Sequence, residues 1–216
     1  MKNLIKAEFF RLSKSQSFWL LLILALVLGI SYGISPLTGY EICIVKLSPE
    51  LFSAIWICLF AVSFICCEFH DRTFGRSIFC ITTRQKIFLA KALVFFTGAL
   101  PIMLLPAIVS TIIATTRNGF GQVWNAMLVS VIIQRLISYI FWGFFMDSCA
   151  LLMAALIRDS VGTFGAGVVF MYVMMSLEAD GIGVGNSFGS MLVVYLIKIV
   201  IIMAIATFIF VKRDLK

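Results

Sequence analysis

The feature that most constrains this chain is a series of long apolar runs separated by short polar segments. Each run approaches the roughly 20 residues that an α-helix needs to cross the ~30 Å hydrocarbon core of a bilayer. Apolar residues make up 62% of the chain and charged residues 12%, whereas soluble domains have about 45–50% and about 25%. The sequence therefore predicts an all-α membrane protein. Residues 1–216 form a single transmembrane domain, whose six predicted transmembrane helices are residues 18–34, 51–67, 92–115, 136–156, 161–177 and 190–211.

The basic residues indicate how these predicted spans are oriented. Six spans place both termini on one side, and 13 of the 17 basic residues fall on that side. The other side carries only Lys46 and Arg117, while Arg135 and Lys198 lie in or near spans. Because positive charge is enriched in cytoplasmic segments, both termini are predicted to be cytoplasmic. The basic residues lie between spans and form no basic domain, so no nucleic acid partner is expected.

The two ends of the chain have distinct predicted roles. Residues 1–17 are predicted to form a cytoplasmic amphipathic elbow helix at the membrane surface, and residues 212–216 a cytoplasmic tail. Glu8 interrupts the apolar face of this helix, which otherwise spans an arc of about 140°. The apolar residues of that arc are Leu4, Ile5, Phe9 and Leu12.

The apolar stretch 126–156 is too long for one perpendicular crossing. At 1.5 Å per residue a helix of this length measures about 46 Å. We expect Gln122–Arg135 to form an outer-surface helix or an extension of the span, which would leave Arg135 near the lipid headgroups. The alternative is one strongly tilted span.

Motifs for catalysis and cofactor binding are missing from the sequence. No Gly-x-x-x-x-Gly-Lys-Ser/Thr loop is present to cradle phosphates, so we expect no ATP hydrolysis and no cofactor bound by this chain. Gly162, Gly165 and Gly167 lie within an apolar run, where glycines indicate close helix packing rather than nucleotide binding. Six cysteines and one histidine, His70, lack the spacing of a metal site. We therefore expect no metal ion and no enzyme activity.

The predicted inward segment, residues 68–91, combines basic residues with aromatic ones. Arg72 and Arg76 alternate with Phe69, Phe74 and Phe79. This pattern is typical of a short amphipathic helix that lies on the membrane surface or docks into a partner's groove. A plain interfacial helix is the alternative interpretation.

Three segments resemble one family, the membrane subunits of type-2 ABC exporters, particularly the small permeases linked to bacteriocin immunity and drug resistance. These segments are Lys6-Ala-Glu8-Phe-Phe-Arg-Leu12, the series Glu68…Thr73…Thr83-Arg84…Ala90-Lys91, and the closing Phe210-Val-Lys-Arg-Asp214. The family pattern in the second segment is Glu…Gly-Thr…Pro-x-Ser-Arg…Lys. This chain departs from it, with Arg72 before Thr73, Ile81 near the proline position and Thr83 for the serine.

The resemblance implies a function in transport across the bacterial cell membrane. The segment after the second span would be a cytoplasmic coupling helix that contacts an ABC ATP-binding subunit, present in two copies and holding ATP and Mg. A second permease chain, identical or similar, would complete the pathway. The expected cargo is amphipathic, peptide or lipid-like. The implied coupling residues are Glu68, Thr73, Phe74, Arg76, Ile78, Arg84 and Lys91.

Two alternatives from other functional classes remain open. The chain could be a non-transporting membrane assembly or sensor subunit that uses the same inward segment only for docking. An intramembrane enzyme would need convergent His, Asp, Glu or Ser groups within the membrane. The single histidine, His70, stands at the end of a predicted span, which argues against that class.

Four residues within the predicted spans have candidate roles. Asp147 and Lys198 lie at depths that differ by only about 5 Å at 1.5 Å per residue. Charged groups in hydrocarbon are costly, so we predict an inter-helix pair or a polar substrate path. The alternative is that each finds its own partner. Pro101 and Pro106 are candidate hinge residues, because each removes a backbone donor from its helix.

Overall fold

A computed structural model describes residues 2–47, 51–66, 84–157, 159–181 and 188–213. These ranges are helical throughout apart from short connections, and they contain no strand, which confirms the all-α part of the predicted fold class. The helices are α1 Lys2–Lys14, α2 Gln16–Gly33, α3 Gly39–Lys46, α4 Leu51–Ala61 with a π-helical continuation Val62–Cys66, α5 Arg84–Asn118, α6 Ala126–Ile157, α7 Ser160–Gly181 and α8 Phe188–Arg213.

Four of these helices, α2, α5, α6 and α8, are long and apolar enough to cross a membrane. The chain therefore has the character of a multi-pass membrane protein. Two shorter apolar stretches, Ile55–Cys66 and Ser160–Ser176, lie in α4 and α7. Helix α6 is central, since 61% of its most apolar window is buried in the protein, whereas the figure for α8 is 11%. Most of α8 thus faces outward.

The core is rich in aromatic side chains contributed by several helices. Phe60 of α4 stacks on Phe95 of α5 with ring centroids 5.0 Å apart and an interplanar angle of 10°. Phe60 also stacks on Phe64, at 5.6 Å. In α6, Trp142 and Phe145 are fully buried. These large rings are buried where α4, α5 and α6 pack together, and they contribute much of the buried apolar surface there.

Small residues bring α2 and α5 into close contact. Ala25, Gly29 and Gly33 recur every four residues along one buried stripe of α2. A Cβ atom on Gly29 would lie 3.1 Å from Pro106 Cα, and one on Gly33 would lie 2.7 Å from Ile113 Cβ. The two backbones therefore pack as closely as small residues at an interface permit.

The glycines of α7 differ from one another in how closely they pack, unlike the small residues of α2. A Cβ on Gly167 would lie 3.1 Å from Cys58 Sγ, so this glycine does face a neighbouring helix. Gly165 has no such neighbour within 4 Å. Only part of the predicted close packing in this helix is therefore present.

The long stretch after residue 125 is one helix. Helix α6 runs without a break from Ala126 to Ile157, so residues 126–135 are an extension of the span. A separate outer-surface helix over Gln122–Arg135 is not formed. The physical reason is that no glycine or proline occurs between Ala126 and Trp142 to interrupt the hydrogen-bond ladder.

Helix α3 lies between the first two predicted spans, where hydropathy predicts no span. Thr38 begins it with a capping box, in which the Glu41 backbone N–H donates to Thr38 Oγ1 and the Thr38 backbone N–H donates to Glu41 Oε2. The signal was the Thr-x-x-Glu spacing, which is typical of a helix start.

The connection after α5 is joined to the connection after α2. The Gly39 N–H donates to the Gly119 carbonyl at 3.1 Å, and the Asn118 side-chain amide donates to the carbonyls of Ser35 and Leu37 at 3.1 and 2.8 Å. Gly119 has φ of +77°, a conformation that suits glycine. The connections that follow α2 and α5 are thus held together by hydrogen bonds to backbone carbonyls from one backbone N–H and one side chain.

The capping box provides a pH-dependent prediction. Hydrogen bonds from the Thr38 backbone and hydroxyl lower the pKa of Glu41 from its usual value. Because the folded-state pKa is lowered, the stabilisation is present above the unfolded pKa of about 4.3 and is lost as pH falls through the folded value. We expect the melting temperature of Glu41→Gln to lie below wild type at pH 7 and to approach it as the pH falls below the unfolded pKa. Thermal unfolding in detergent tests this, and a constant difference across that range would contradict it.

Candidate functional site at the N-terminal helix

A buried ion pair joins the N-terminal helix to the helix that follows the predicted coupling segment. Glu8 of α1 and Lys91 of α5 are both buried, and Lys91 Nζ lies 2.8 Å from Glu8 Oε1. Arg11, one turn further along α1, has Nη1 4.0 Å from Glu8 Oε2. The carboxylate therefore has positive charge on both sides.

The sequence of α1 explains how Glu8 reaches this position. Part of its apolar arc packs on the bundle: Leu12 is buried and Ile5 partly buried, whereas Phe9 is exposed. A Cβ on Gly98 of α5 would lie 3.0 Å from Leu12 Cδ2, so this glycine gives Leu12 its space. Glu8 lies one turn before Leu12 on the same face. The carboxylate that interrupts the apolar arc in the sequence is the group that meets Lys91.

The turn between α1 and α2 is held by short hydrogen bonds. The Ser15 N–H donates to the Leu12 carbonyl at 3.1 Å, and Trp19 Nε1–H donates to the Ser13 carbonyl at 2.8 Å. The indole of α2 thereby fixes the last turn of α1. The last turn of α1 and the start of α2 are thus joined by a side-chain contact as well as by the chain.

The two buried charges of this pair must stay in contact with each other. Taking two charges out of water is costly, and their attraction offsets this cost only when the groups stay in contact. Glu8 Oε2 is buried and makes no hydrogen bond. The short polar contact of this carboxylate with α5 is therefore the one between Oε1 and Lys91 Nζ. Separation of α1 from α5 would leave each of the two charges without its partner.

The predicted coupling residues are only partly described. Glu68, Thr73, Phe74, Arg76 and Ile78 lie outside the described residues, as does most of the predicted coupling helix. Two members of the set remain. Arg84 is the first residue of α5, and Lys91 lies two turns further along the same helix, paired with Glu8. Contact of these residues with an ATP-binding subunit stays a prediction.

Asp147 and Lys198 are placed on neighbouring helices, α6 and α8. Both carboxylate oxygens of Asp147 are buried without a hydrogen-bond partner. Lys198 Nζ lies 5.3 Å from the centroid of the Phe145 ring and 5.8 Å from that of Tyr195. The two residues therefore make no hydrogen bond to each other in this structure. Their predicted role along a polar path remains a prediction.

The candidate hinge residues both lie within α5. Pro101 and Pro106 stand inside a helix that continues to Asn118. Pro106 packs against the stripe of small residues on α2, because its backbone is the neighbour that a Cβ on Gly29 would meet. A hinge function for either proline stays a prediction.

The sequence pattern does not predict the ion pair of Glu8, although it places a carboxylate inside the apolar arc of α1. The available signal was a carboxylate inside an apolar arc, which requires a buried partner. Comparison with known proteins adds no further identification: no protein-family model, curated protein or solved structure matches this chain. The class that the structure defines is therefore an all-helical, multi-pass membrane protein.

Proposed function

We propose that this chain is the membrane-spanning permease subunit of an ATP-driven ABC exporter in the bacterial cell membrane. In this proposal α4 and α7 cross the membrane together with the four long helices, which makes six spans with both termini in the cytoplasm. Helix α1 is the elbow helix at the inner surface. Residues 68–91 include the coupling helix, which contacts one of two ATP-binding subunits that hold ATP and Mg.

The observation that carries this proposal is the ion pair between Glu8 and Lys91. It connects α1 to the first turns of α5, the helix that directly continues from the proposed coupling segment. A displacement of that segment by a partner would reach α5 first and, through Lys91, α1. From α1 it would pass to α2 through the Trp19–Ser13 hydrogen bond. This arrangement suits a device that transmits movement from a cytoplasmic partner to the spans.

The proposed transport cycle needs a second permease chain, identical or similar. Closed two-fold symmetry is the usual arrangement of such assemblies. Closure of the ATP-binding subunits would move the coupling helices and rearrange the spans that line a path between the two permeases. An amphipathic, peptide or lipid-like cargo suits a protein whose membrane-spanning helices are rich in aromatic and methionine side chains.

The proposal predicts that charge reversal in the coupling segment uncouples the partner. We expect Arg76→Glu and Arg84→Glu to abolish co-purification with a candidate ATP-binding subunit, or the stimulation of its ATPase activity by this chain. The reason is that a basic docking surface becomes acidic. Arg117→Glu, a charge reversal at an exposed site at the opposite end of α5, is the matched control and should leave both readouts unchanged.

The same experiment separates the proposal from its alternatives. Retention of the complex and of full ATPase stimulation in both variants would show that the docking segment is misplaced. A complex that forms but never responds to any cargo would favour the assembly or sensor subunit. Failure to find any ATP-binding partner would contradict the exporter proposal as a whole.

A further inference from the structure

A cavity of about 480 Å³ lies between the N-terminal halves of α6 and α8. Its volume falls in the range of about 300–1,000 Å³ that is typical of small-molecule sites. One wall is the face of α6 that carries Arg135, Ser138 and Trp142. The facing wall includes Met191 and Tyr195 of α8. The helices that form these walls, α6 and α8, are not the helices that carry the Glu8–Lys91 ion pair.

The α6 wall changes from charged to apolar along its length. Arg135 is exposed, whereas Trp142, seven residues on, is only 1% exposed. Seven residues of helix correspond to a rise of about 10 Å. Within the described part of the chain, Arg135 makes no ion pair. Its guanidinium therefore offers a cationic group at one end of the cavity, with no ion pair to a carboxylate of the described residues.

The deep end of the cavity contains an unsatisfied donor. The indole Nε1–H of Trp142 is buried and has no hydrogen-bond partner. A buried donor left without an acceptor is costly, and buried tryptophans usually find one. Its ring stacks on Tyr139, another lining residue, at 5.9 Å. A ligand oxygen that reached Nε1 would satisfy this donor, and the apolar part of the ligand would pack against the aromatic rings.

The α8 wall borders the outward-facing surface of the bundle. Helix α8 is the least buried of the four long helices. Its outward side is apolar, with Val193 and Ile197 each more than half exposed. On a membrane-spanning helix, such a side faces lipid. Helix α8 thus has one side toward the cavity and another toward the outside of the bundle.

We propose that this cavity binds one anionic amphiphile with a single acyl chain. Its acidic headgroup pairs with Arg135, a carbonyl or ester oxygen accepts the hydrogen bond of Trp142 Nε1–H, and its apolar portion packs along Phe188, Met191 and Tyr195. The cationic group lies at one end of the cavity and the apolar side chains of α8 face the α6 wall, so a molecule with an acidic headgroup and an apolar chain matches both. The binding site stands without the proposed function, whereas the assignment of the ligand as cargo rests on it.

Binding of two matched lipids to the purified protein in neutral detergent tests the site. We expect native mass spectrometry to show one bound lysophosphatidylglycerol, with an affinity about tenfold higher than that of lysophosphatidylcholine of equal chain length, as a charge-assisted contact predicts. Arg135→Gln should remove this preference. Trp142→Phe, which keeps the ring and removes the donor, should weaken both lipids by several-fold. Arg117→Gln, an exposed arginine whose guanidinium contacts the Ile34 carbonyl outside the cavity, should behave as wild type.

Several results would overturn this proposal. Equal affinity for the two lipids, an unchanged preference in Arg135→Gln, or no retained lipid in wild type would each do so. Arg135 is exposed, so its variant is expected to fold, and elution as a single species confirms this before binding is measured.

A second arm tests the assignment as cargo. Stimulation of a co-purified ATPase by lysophosphatidylglycerol in wild type, but not in Arg135→Gln, identifies the ligand as cargo. Specific binding without stimulation contradicts the cargo assignment and identifies a resident membrane lipid, while the binding site itself stands. Loss of the ATPase partner, by contrast, contradicts the proposed function without affecting the binding result.

Discussion

Replacement of Lys91 by methionine is expected to detach α1 from the bundle. The substitution leaves the buried Glu8 carboxylate without its 2.8 Å partner. Removal of one member of a buried ion pair typically costs about 3–5 kcal/mol, because the remaining charge is uncompensated. Helix α1 can avoid this cost by moving Glu8 into water. The loss of stability therefore cannot exceed the free energy with which α1 packs on the rest of the bundle.

Hydrogen exchange and thermal unfolding together measure this effect. In Lys91→Met we expect faster amide exchange over Lys2–Lys14 and a lower melting temperature in detergent. Lys86→Met is the matched control, since Lys86 lies on the same helix but is exposed. It should change neither readout.

The partner substitution turns the experiment into a double-mutant cycle. Glu8→Gln alone leaves Lys91 buried without its carboxylate, and the double variant Glu8→Gln with Lys91→Met removes both charges. We expect the double variant to be more stable than either single variant, because no buried charge remains. Additive losses would show that the two charges do not depend on each other. The ion pair would then give no support to the proposal that movement passes from α5 to α1.

Substitution of Gly33 by leucine is expected to separate α2 from α5. Even the first atom of a side chain would lie 2.7 Å from Ile113 Cβ and 3.1 Å from the Ser110 carbonyl. Overpacking of an interior typically costs about 1–3 kcal/mol. A leucine adds three further carbons, so we expect a loss at the upper end of this range or above. The affected contact runs along much of the length of α2.

Gly165 provides the matched control for this substitution. It too lies inside an apolar helix, but no neighbouring atom lies within 4 Å of the position of its Cβ. Gly165→Leu should be neutral or stabilising, because leucine is a better helix former than glycine by up to about 1 kcal/mol. Thermal unfolding of both variants in the same detergent measures the difference. Equal melting temperatures would contradict the close approach of α2 and α5.

Hydropathy predicts the long helices well because the physical requirement is local. A segment in hydrocarbon must satisfy its backbone groups within itself, so an apolar run of sufficient length becomes a helix. The same reasoning fails for α3, whose helical signal is a capping box rather than an apolar run. For residues 126–135, length alone left a surface helix and an extension of the span open, and the extension is formed because nothing in the sequence interrupts α6.

Contacts between helices are harder to predict from one sequence. The glycines of α7 and those of α2 look alike, yet Gly165 faces open space and Gly33 faces Ile113. Depth in the membrane places Asp147 and Lys198 at one level but says nothing of the direction in which each side chain points. Glu8 shows the same limit. Its position in an apolar arc requires a partner, but Lys91 is 83 residues away, and only the packing of α1 on α5 identifies it.

The contacts at the two ends of α2 have a mechanical consequence. Near its start, α1 is tied to α5 by the Glu8–Lys91 pair, and past its end Asn118 binds the carbonyls of Ser35 and Leu37. Between these points the small-residue stripe keeps the two backbones in register. Sliding or tilting of α2 on α5 would break contacts at both ends simultaneously. We therefore expect α2 and α5 to move as one unit, with rearrangements of the bundle taking place between this pair and the other helices.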